Sequence, residues 1–119
     1  MTNHLTEKRC LPCEGGVEKL TPEQVKALLN ELPGWETEKT FTRISREFRF
    51  RNYFQTMAFV NAIAWMAHQE NHHPDLEVHY NFCVVHYNTH AIGGLSENDF
   101  ICAAKVNALV PEEGMVSLV

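Results

Sequence analysis

The sequence predicts an α+β fold in a single domain: a four-stranded antiparallel sheet with helices packed on one face. Three observations lead to this prediction. Two segments begin with helix-capping signals, a longer segment between them is apolar on most sides, and four short stretches alternate apolar with polar residues as strands do. Their order along the chain is α-β-β-α-β-β-α. That order is typical of folds in which helices cover one face of an antiparallel sheet.

The N-terminal part, residues 1–19, carries charges and glycines without periodicity, which predicts a loosely ordered arm ahead of a domain at 20–119. Cys10 and Cys13 form one CxxC motif in this arm, and no second pair completes a zinc site. Free thiols are the default without a secretory signal. Zinc or redox use of the motif, with His4 as a third ligand, is the minor alternative, so we expect no metal site.

The first helix begins at Thr21, which caps it, with Pro22 in the first turn and Gln24 able to reach back to the cap. Pro33 and Gly34 end it. Its apolar stripe consists of Val25, Leu28, Leu29 and Leu32.

Two strands follow, at 35–39 and 41–50, joined by a tight turn. Trp35 is expected in the core, where strand aromatics usually pack. In the second strand Ile44, Phe48 and Phe50 share one face. Its arginines form a basic cluster that we interpret as a solvated face; they are Arg43, Arg46, Arg49 and Arg51.

The long central helix opens at Asn52 and runs to about Asn71, and Pro74 is expected to end it. Its breadth of apolar residues predicts a central packing element. The predicted core stripe is Tyr53, Met57, Val60, Ala64 and Ala67, widened by Phe54, Ala58 and Trp65.

The second pair of strands is indicated by alternation at 76–80 and again at 83–89, with Asn81 as a turn residue. Ser96 and Asp99 match a capping box, which starts a last helix that runs to about residue 109.

Composition excludes several function classes. The 119 residues carry a formal net charge of −5, which disfavours general binding to nucleic acid or to membrane surfaces, because both are anionic. The first residues lack the apolar core of a signal peptide, and the longest wholly apolar run, at 62–67, is too short to span a bilayer. We therefore expect a soluble, cytoplasmic protein. Nucleophile-elbow, phosphate-loop and dinucleotide motifs are also missing.

Histidines are concentrated between residues 69 and 99, which contain five of the chain's seven. His72 and His73 lie where the long helix breaks, and His90 ends the strand that follows the second hairpin. Three interpretations remain open at this point. The residues are ordinary surface histidines, or ligands of a three-histidine zinc site with poor spacing, or acid–base groups that exchange protons near neutral pH. His79 and His86 are expected to be ordinary strand residues.

The motif HHP at 72–74, Tyr80 and the run THAIGGLSEND at 89–99 resemble the pterin-4a-carbinolamine dehydratases. The resemblance begins at CEGGVEKLTPEQV and extends to the last helix. It implies the same α-β-β-α-β-β-α order. It also implies a metal-free hydro-lyase that needs no cofactor and dehydrates 4a-hydroxytetrahydropterin to quinonoid dihydropterin.

The resemblance also implies the site residues. The catalytic set is His72, His73 and His90. Matched by motif, the substrate-binding set is Pro74, Thr89 and Asp99. We favour His72 and His90 as the acid–base pair, with His73 orienting the ring. Asp99 is expected to hold a histidine or to serve the capping box, and the two roles are compatible. Relatives often have glutamate where this chain has His68.

The implied partners are a pterin, a pterin-dependent aromatic amino-acid hydroxylase that produces the carbinolamine, and further copies of the chain in a homodimer or homotetramer. Direct contact with nucleic acid or a membrane is not expected. The alternative function is a non-catalytic pterin-binding or protein-binding module, such as a transcriptional coactivator or an assembly factor.

Overall fold

A four-stranded antiparallel sheet is the centre of the computed structural model, which describes residues 4–12 and 16–110. Its spatial order is β1-β2-β4-β3, so the two longest strands pair in the middle. The strands are β1 (Glu36–Thr37), β2 (Ile44–Arg49), β3 (Asp75–Val78) and β4 (Phe82–Tyr87). The helices are α1 (Pro22–Leu29), α2 (Tyr53–Glu70) and α3 (Glu97–Asn107), with short 3₁₀ helices at His4–Glu7 and His90–Ile92. The predicted α+β class and the α-β-β-α-β-β-α order are confirmed.

One face of the sheet meets the helices and forms the core. Ile44 is opposite Tyr87 and Phe48 is opposite Cys83 in the β2–β4 register, and all four side chains are buried. The ring of Phe48 lies 4.8 Å from that of Phe59 on α2. Helix α3 is buried along most of its length, from Phe100 to Val106. The sheet and both long helices therefore share one core.

Both predicted helix starts are capped as expected. Thr21 Oγ1 accepts a hydrogen bond from the Gln24 amide at 3.2 Å, and Gln24 Oε1 accepts one from the Thr21 amide at 2.9 Å. These reciprocal bonds satisfy amides that the first turn leaves without intrahelical partners. Ser96 and Asp99 form the second capping box, at the start of α3.

The core-facing stripe predicted for α2 is right only in part. Ala67 is buried and Val60 packs against the core. Tyr53, Phe54 and Trp65 are exposed, whereas Phe59 and Ile63, which the prediction left out, are buried. The helix is apolar on nearly every side, so periodicity does not single out the buried face. The buried residues of α2 are Gln55, Thr56, Phe59, Ile63, Met66, Ala67 and Glu70.

Two buried polar residues of α2, Gln55 and Thr56, lie in its first turn and make hydrogen bonds there. Gln55 Oε1 accepts a hydrogen bond from the Arg51 amide at 2.9 Å. Thr56 Oγ1 donates to the carbonyl of Tyr80 at 3.0 Å, in the turn between β3 and β4. Buried polar groups are tolerated when they are hydrogen-bonded, and the bond from Thr56 links the first turn of α2 to the turn between β3 and β4.

The end of α2 is made by Asn71 and not by Pro74. Asn71 has a φ of 54°, the left-handed conformation that commonly terminates a helix. Its amide bonds the carbonyl of His68 at 3.3 Å, and the chain then turns into β3. Asparagine is one of the few non-glycine residues that adopt this conformation readily.

Arg46 departs from the predicted solvated face of β2. Its guanidinium lies 4.5 Å from the ring centroid of Phe48 and donates to the carbonyl of Pro33 at 2.8 Å and to Asn107 Oδ1 at 2.7 Å. Trp35 is buried as expected, and its Nε1 donates to the same Asn107 oxygen at 2.8 Å.

The N-terminal segment, defined here as residues 4–12, lies against α2 and α3. Leu5 is buried, and the Leu11 amide donates to Asn98 Oδ1 at 3.0 Å while Asn98 Nδ2 donates to the Leu11 carbonyl at 2.8 Å. Lys8 pairs with Glu97 across the surface. The loose order expected for residues 1–19 stays a prediction that amide exchange can measure. Cys13, half of the CxxC motif, lies outside the described residues.

Candidate active site

His72 is positioned by the break at the end of α2. After the left-handed Asn71, the His72 amide bonds the carbonyl of Ala67 at 3.2 Å and its side chain turns into the protein, where it is 7% exposed. The imidazole stacks on Tyr87 of β4, with centroids 5.4 Å apart and planes at 17°. The Tyr87 hydroxyl donates to the His72 carbonyl at 3.4 Å. Both the ring and the main chain of His72 are thus held by the sheet.

A fully buried carboxylate fixes the other side of His72. Asp99 Oδ1 lies 2.7 Å from His72 Nε2. Asp99 Oδ2 accepts a hydrogen bond from Thr89 Oγ1 at 2.8 Å and another from the Ser96 amide at 2.9 Å. Thr89 Oγ1 also lies 2.8 Å from Ser96 Oγ. We call these four residues, His72, Thr89, Ser96 and Asp99, the aspartate clamp.

The local sequence explains how the clamp assembles. Asp99 is at the third position of α3, where its side chain reaches back to the Ser96 amide as the second half of a capping box. Thr89 is brought beside Ser96 by a β-bridge, in which the Thr89 amide donates to the Gly94 carbonyl at 2.8 Å. Gly93, with a φ of 66°, lets the chain reverse within this loop.

The clamp determines which ring nitrogen of His72 carries a proton. An ionised carboxylate only accepts hydrogen bonds, so Nε2 of His72 donates to Asp99. In the neutral imidazole the basic lone pair is then on Nδ1. The negative charge of Asp99 is compensated by three donors, which is the condition for burying a carboxylate without losing its charge.

The structure places the expected site residues in two groups. His72, Thr89 and Asp99 meet in the buried clamp, where Thr89 and Asp99 have no more than 1% of their surface exposed. His73 and His90 follow His72 and Thr89 directly in the chain, and both are exposed. Pro74 is partly buried and precedes β3. The two exposed imidazoles thus belong to residues next to clamp members in sequence, on two separate segments.

Two members of the surroundings were not expected from the sequence. Tyr87 appeared there only as an alternating strand residue and Ser96 only as a helix cap. The capping signal at Ser96 could have indicated that Ser96 lies beside the site, because the capping box and the site share Asp99. Burial raises the pKa of Tyr87 well above its usual range, so its hydroxyl stays a hydrogen-bond donor to His72.

His86, expected to be an ordinary strand residue, makes a hydrogen-bonded chain on the outer face of the sheet. Its Nδ1 lies 2.5 Å from Ser45 Oγ, and its Nε2 lies 2.5 Å from Glu77 Oε2. The hydrogen bond from His86 lowers the pKa of Glu77. The three residues lie on β2, β4 and β3, so the chain links three adjacent strands.

His68 is exposed, and its ring lies 5.9 Å from that of Trp65. Glu70, two positions later, makes a structural contact. Its carboxylate accepts a hydrogen bond from the Cys10 amide at 2.9 Å and pairs with Arg9 at 2.8 Å, so it anchors the N-terminal segment.

Over residues 4–12 and 16–110, the structure contains no group of three or more His, Cys, Asp or Glu side chains arranged to hold a metal ion.

Comparison with known families decides the kinship of the chain. The sequence model described as "Pterin 4 alpha carbinolamine dehydratase" matches residues 18–109, which includes the whole clamp, His73 and His90. The chain belongs to this family.

Within the described residues, no helix is both long enough and apolar enough to cross a membrane.

Curated relatives agree with this placement. A protein of Nitrosomonas eutropha, named as a candidate pterin-4-alpha-carbinolamine dehydratase, is 60% identical over 113 residues and covers 92% of this chain and 98% of its own length. A protein of the same name from Stenotrophomonas maltophilia is 54% identical over 108 residues, covering 91% of this chain and 93% of its own.

Two solved structures share the fold. The crystal structure of a transcriptional coactivator/pterin dehydratase from Brucella melitensis has a TM-score of 0.74 and 30% identity, covering 77% of this chain and 98% of its own. A pterin dehydratase-like protein identified as a RuBisCO assembly factor in the alpha-carboxysome has a TM-score of 0.55 and 25% identity, covering 64% of this chain and 88% of its own.

Proposed function

We propose that this protein dehydrates 4a-hydroxytetrahydropterin to quinonoid dihydropterin and water by histidine acid–base catalysis. The observation that carries the proposal is the aspartate clamp, in which the buried Asp99 carboxylate accepts a hydrogen bond from His72 Nε2 at 2.7 Å. Membership of the dehydratase family and the names of the relatives support the substrate class.

The reaction requires two proton transfers and no electron transfer. The hydroxyl on carbon 4a leaves as water after an acid protonates it, and a base removes the proton from N5 as the C4a=N5 bond forms. The acid has lost one proton and the base has gained one, so exchange with water restores both groups. Positioned groups of this kind contribute typically 10²–10⁴ in rate, most effectively with a pKa near the working pH. Imidazole, with an unperturbed pKa of about 6.5, meets this condition.

The clamp supports a defined role for His72. A general base needs a nitrogen whose protonation is set before substrate arrives, and a hydrogen bond to the other nitrogen is the usual way to set it. Asp99 accepts from Nε2, so the basic nitrogen of the neutral ring is Nδ1. Thr89 and Ser96 orient Asp99 and act as positioning residues rather than as substrate contacts.

His90 is the acid in this proposal and His73 orients the pterin ring, with Pro74 at the edge of the site. Exposure supports both assignments, since the side chains of His73 and His90 are open to a diffusible substrate and to water. Single alanine variants of the three histidines test the division of roles. We expect His72→Ala and His90→Ala to lower kcat by about 10²-fold or more, and His73→Ala to act mainly on KM.

Two outcomes would contradict these assignments. A kcat for His73→Ala far below those of the other two variants would reassign the acid–base pair. Unchanged kcat in all three variants, with circular dichroism showing folded protein, would remove histidine catalysis altogether. His79→Ala is the matched control, because this exposed imidazole stacks on Phe82 in the β3–β4 hairpin.

The biological setting follows from the substrate. The carbinolamine is the product of a pterin-dependent aromatic amino-acid hydroxylase, so we expect the protein to recycle the pterin for such an enzyme. We expect this recycling to take place in the cytoplasm.

Self-association as a homodimer or homotetramer is part of the proposal. Phe54 is 80% exposed and Trp65 is 64% exposed on α2, and Tyr53 stacks on Tyr80 nearby. Large exposed aromatics on one helix favour burial against another chain. Sedimentation analysis should give a mass of two or four chains, and Phe54→Ser should shift it toward one. A monomeric wild-type protein at micromolar concentration would contradict this part.

The same exposed face favours one rival function, a protein-binding module. The two solved neighbours are described as a coactivator/dehydratase and as an assembly factor, so the fold serves such tasks in other proteins. Catalysis distinguishes the two functions, because a pure binding module does not need an oriented His72. A folded protein without dehydratase activity would favour the module.

A further inference from the structure

Two cysteine thiols meet where the N-terminal segment lies against α3. Cys10 Sγ lies 3.5 Å from Cys102 Sγ, although the residues are 92 positions apart in sequence. Both are free thiols, Cys102 fully buried and Cys10 partly buried. A disulfide has a sulfur–sulfur length of about 2.05 Å, so the two atoms need to approach by roughly 1.5 Å. A small rotation of two short side chains is of this size.

Hydrogen bonds on both sides of Cys10 hold its thiol in this position. The Cys10 amide donates to Glu70 Oε1 at 2.9 Å, and the Leu11 main chain exchanges two hydrogen bonds with the Asn98 side chain. Cys10 Sγ also lies 3.7 Å from the carbonyl of Asn98, one turn before Cys102. The N-terminal segment is thus held on α2 and on α3, the helix that carries Cys102. These contacts place the two thiols side by side.

The anchor at Glu70 is ionic as well as hydrogen-bonded. Burial alone would raise the pKa of Glu70, but the Cys10 amide and the charges of Lys105 and Arg9 outweigh it, so this pKa lies below its ordinary value. The carboxylate is therefore charged at neutral pH and holds Arg9 at 2.8 Å. This pairing adds to the contacts that keep Cys10 beside Cys102.

We propose that Cys10 and Cys102 are an oxidation site that forms an intramolecular disulfide, with glutathione disulfide or hydrogen peroxide as the oxidant. With glutathione disulfide, one cysteine thiolate attacks a glutathione sulfur and releases one glutathione, and the second cysteine displaces the other. Two protons leave the thiols and two molecules of glutathione are formed. With peroxide, the same two electrons and two protons convert it to two molecules of water.

The packed arrangement makes this reaction slow until the segment lifts. The hydrogen bond with Cys102, together with burial, raises the pKa of Cys10 well above its usual range, and the thiolate is the reactive form. Oxidation therefore begins in molecules whose N-terminal segment has transiently left α3. The bond then closes when the segment returns, and it ties the segment to the helix covalently.

The disulfide changes one contact of the clamp. Cys102 Sγ lies 3.7 Å from the His72 carbonyl, to which its thiol donates, and a disulfide sulfur has no proton to donate. The Tyr87 hydroxyl remains as a donor to that carbonyl. The disulfide would thus form next to the main-chain carbonyl of His72. The contacts of the His72 ring with Asp99 and Tyr87 would stay in place.

Mass spectrometry of the full-length protein tests the proposal. The chain is incubated with excess glutathione disulfide or dithiothreitol, its remaining thiols are blocked, and it is digested with trypsin without reduction. Cleavage places Cys10 and Cys13 in residues 10–19, and Cys83 and Cys102 in residues 52–105. We expect a cross-linked pair of these two peptides, and its retention in the double variant Cys13→Ser/Cys83→Ser.

Three results would overturn the proposal. One is a disulfide between Cys10 and Cys13 within residues 10–19, and another is a mixed disulfide with glutathione that never resolves. The third is persistence of the cross-link in Cys10→Ser, which would assign it to Cys13. Cys10 is the position to replace because it is only partly buried, whereas Cys102 is enclosed in the core.

Thermal unfolding gives an independent measurement. A cross-link between residues 92 positions apart restricts the unfolded chain strongly, so we expect the oxidised protein to unfold roughly 10 °C above the reduced one. Cys10→Ser should show no difference between the two conditions. A lower unfolding temperature for the oxidised wild-type protein would mean that the bond distorts the packed structure, which contradicts the geometry described here.

Discussion

Replacement of Asp99 by asparagine alters one atom of the clamp and reverses one hydrogen bond. The Ser96 main-chain amide can only donate, so the side-chain oxygen of the Asp99→Asn variant has to stay where Asp99 Oδ2 is now. The new amino group then faces His72 Nε2, which lies 2.7 Å from Asp99 Oδ1 in the wild-type protein. His72 has to accept at Nε2, and its proton moves to Nδ1. The lone pair is then on Nε2, and Nδ1 can no longer act as the base.

The magnitude follows from this change of tautomer. A positioned base contributes typically 10²–10⁴ in rate, so kcat of Asp99→Asn should fall by about 10²-fold or more, with KM changed less than about threefold. Charge-assisted hydrogen bonds also become neutral ones, which should lower the free energy of unfolding by about 1–3 kcal/mol. Shape and volume are unchanged, so the fold should survive.

The assay is the decay of 4a-hydroxytetrahydropterin followed by ultraviolet absorbance, combined with nitrogen-15 spectra that report the His72 tautomer. The matched control is Glu36→Gln, the same chemical change on an exposed residue of β1. The reasoning is refuted if Asp99→Asn keeps kcat within about threefold of wild type, or loses activity while His72 retains its proton on Nε2.

Three further predictions concern the surroundings of the site and the acid stability of the fold. Thr89→Val removes the hydroxyl that donates to Asp99 at 2.8 Å. Urea titrations should show a free energy of unfolding lower by about 1–3 kcal/mol. The loss of kcat should be smaller than in Asp99→Asn. Asn71→Ala places alanine at a φ of 54° and should destabilise by about 1 kcal/mol, whereas Asn71→Gly should equal or exceed wild type; equal stability of the two variants would contradict the helix-end argument. Glu38 has a pKa lowered to about 2, because hydrogen bonds from Thr42 and Thr40 outweigh the effect of burial. Because its pKa is depressed, the ionised Glu38 stabilises the fold above pH 4.5, the ordinary value, and this stabilisation is lost as the pH falls toward about 2. Glu38→Gln lacks this contribution, so its urea midpoint should fall less steeply than that of the wild type over this pH range. Parallel acid profiles for Glu38→Gln and wild type would show that these bonds do not favour the ionised form.

Features governed by neighbours in sequence could be predicted, and features governed by tertiary contacts could not. The capping boxes at Thr21 and Ser96 are local, since each needs only a cap and a residue three positions later. The buried face of α2 was predicted only in part, because apolar residues occur on nearly all its sides. Glu70 is buried through a bond to Cys10, 60 residues away, which no helical period encodes.

The candidate site divides in the same way. The resemblance supplied the three histidines and Asp99, but not the difference between the buried His72 and the exposed His73 beside it. That difference arises because Asn71 adopts a left-handed conformation and turns the chain at the helix end. The pairing of Cys10 with Cys102 likewise depends on where the N-terminal segment lies, whereas the CxxC motif pairs Cys10 with Cys13 in sequence.

The most direct test of the proposed function compares the decay of 4a-hydroxytetrahydropterin without protein, with wild-type protein and with the His72→Ala/His73→Ala variant. We predict acceleration by the wild-type protein and none by the folded variant, which would locate dehydration at the end of α2. Equal decay with and without folded wild-type protein would contradict the account, and the aspartate clamp would then serve binding rather than chemistry.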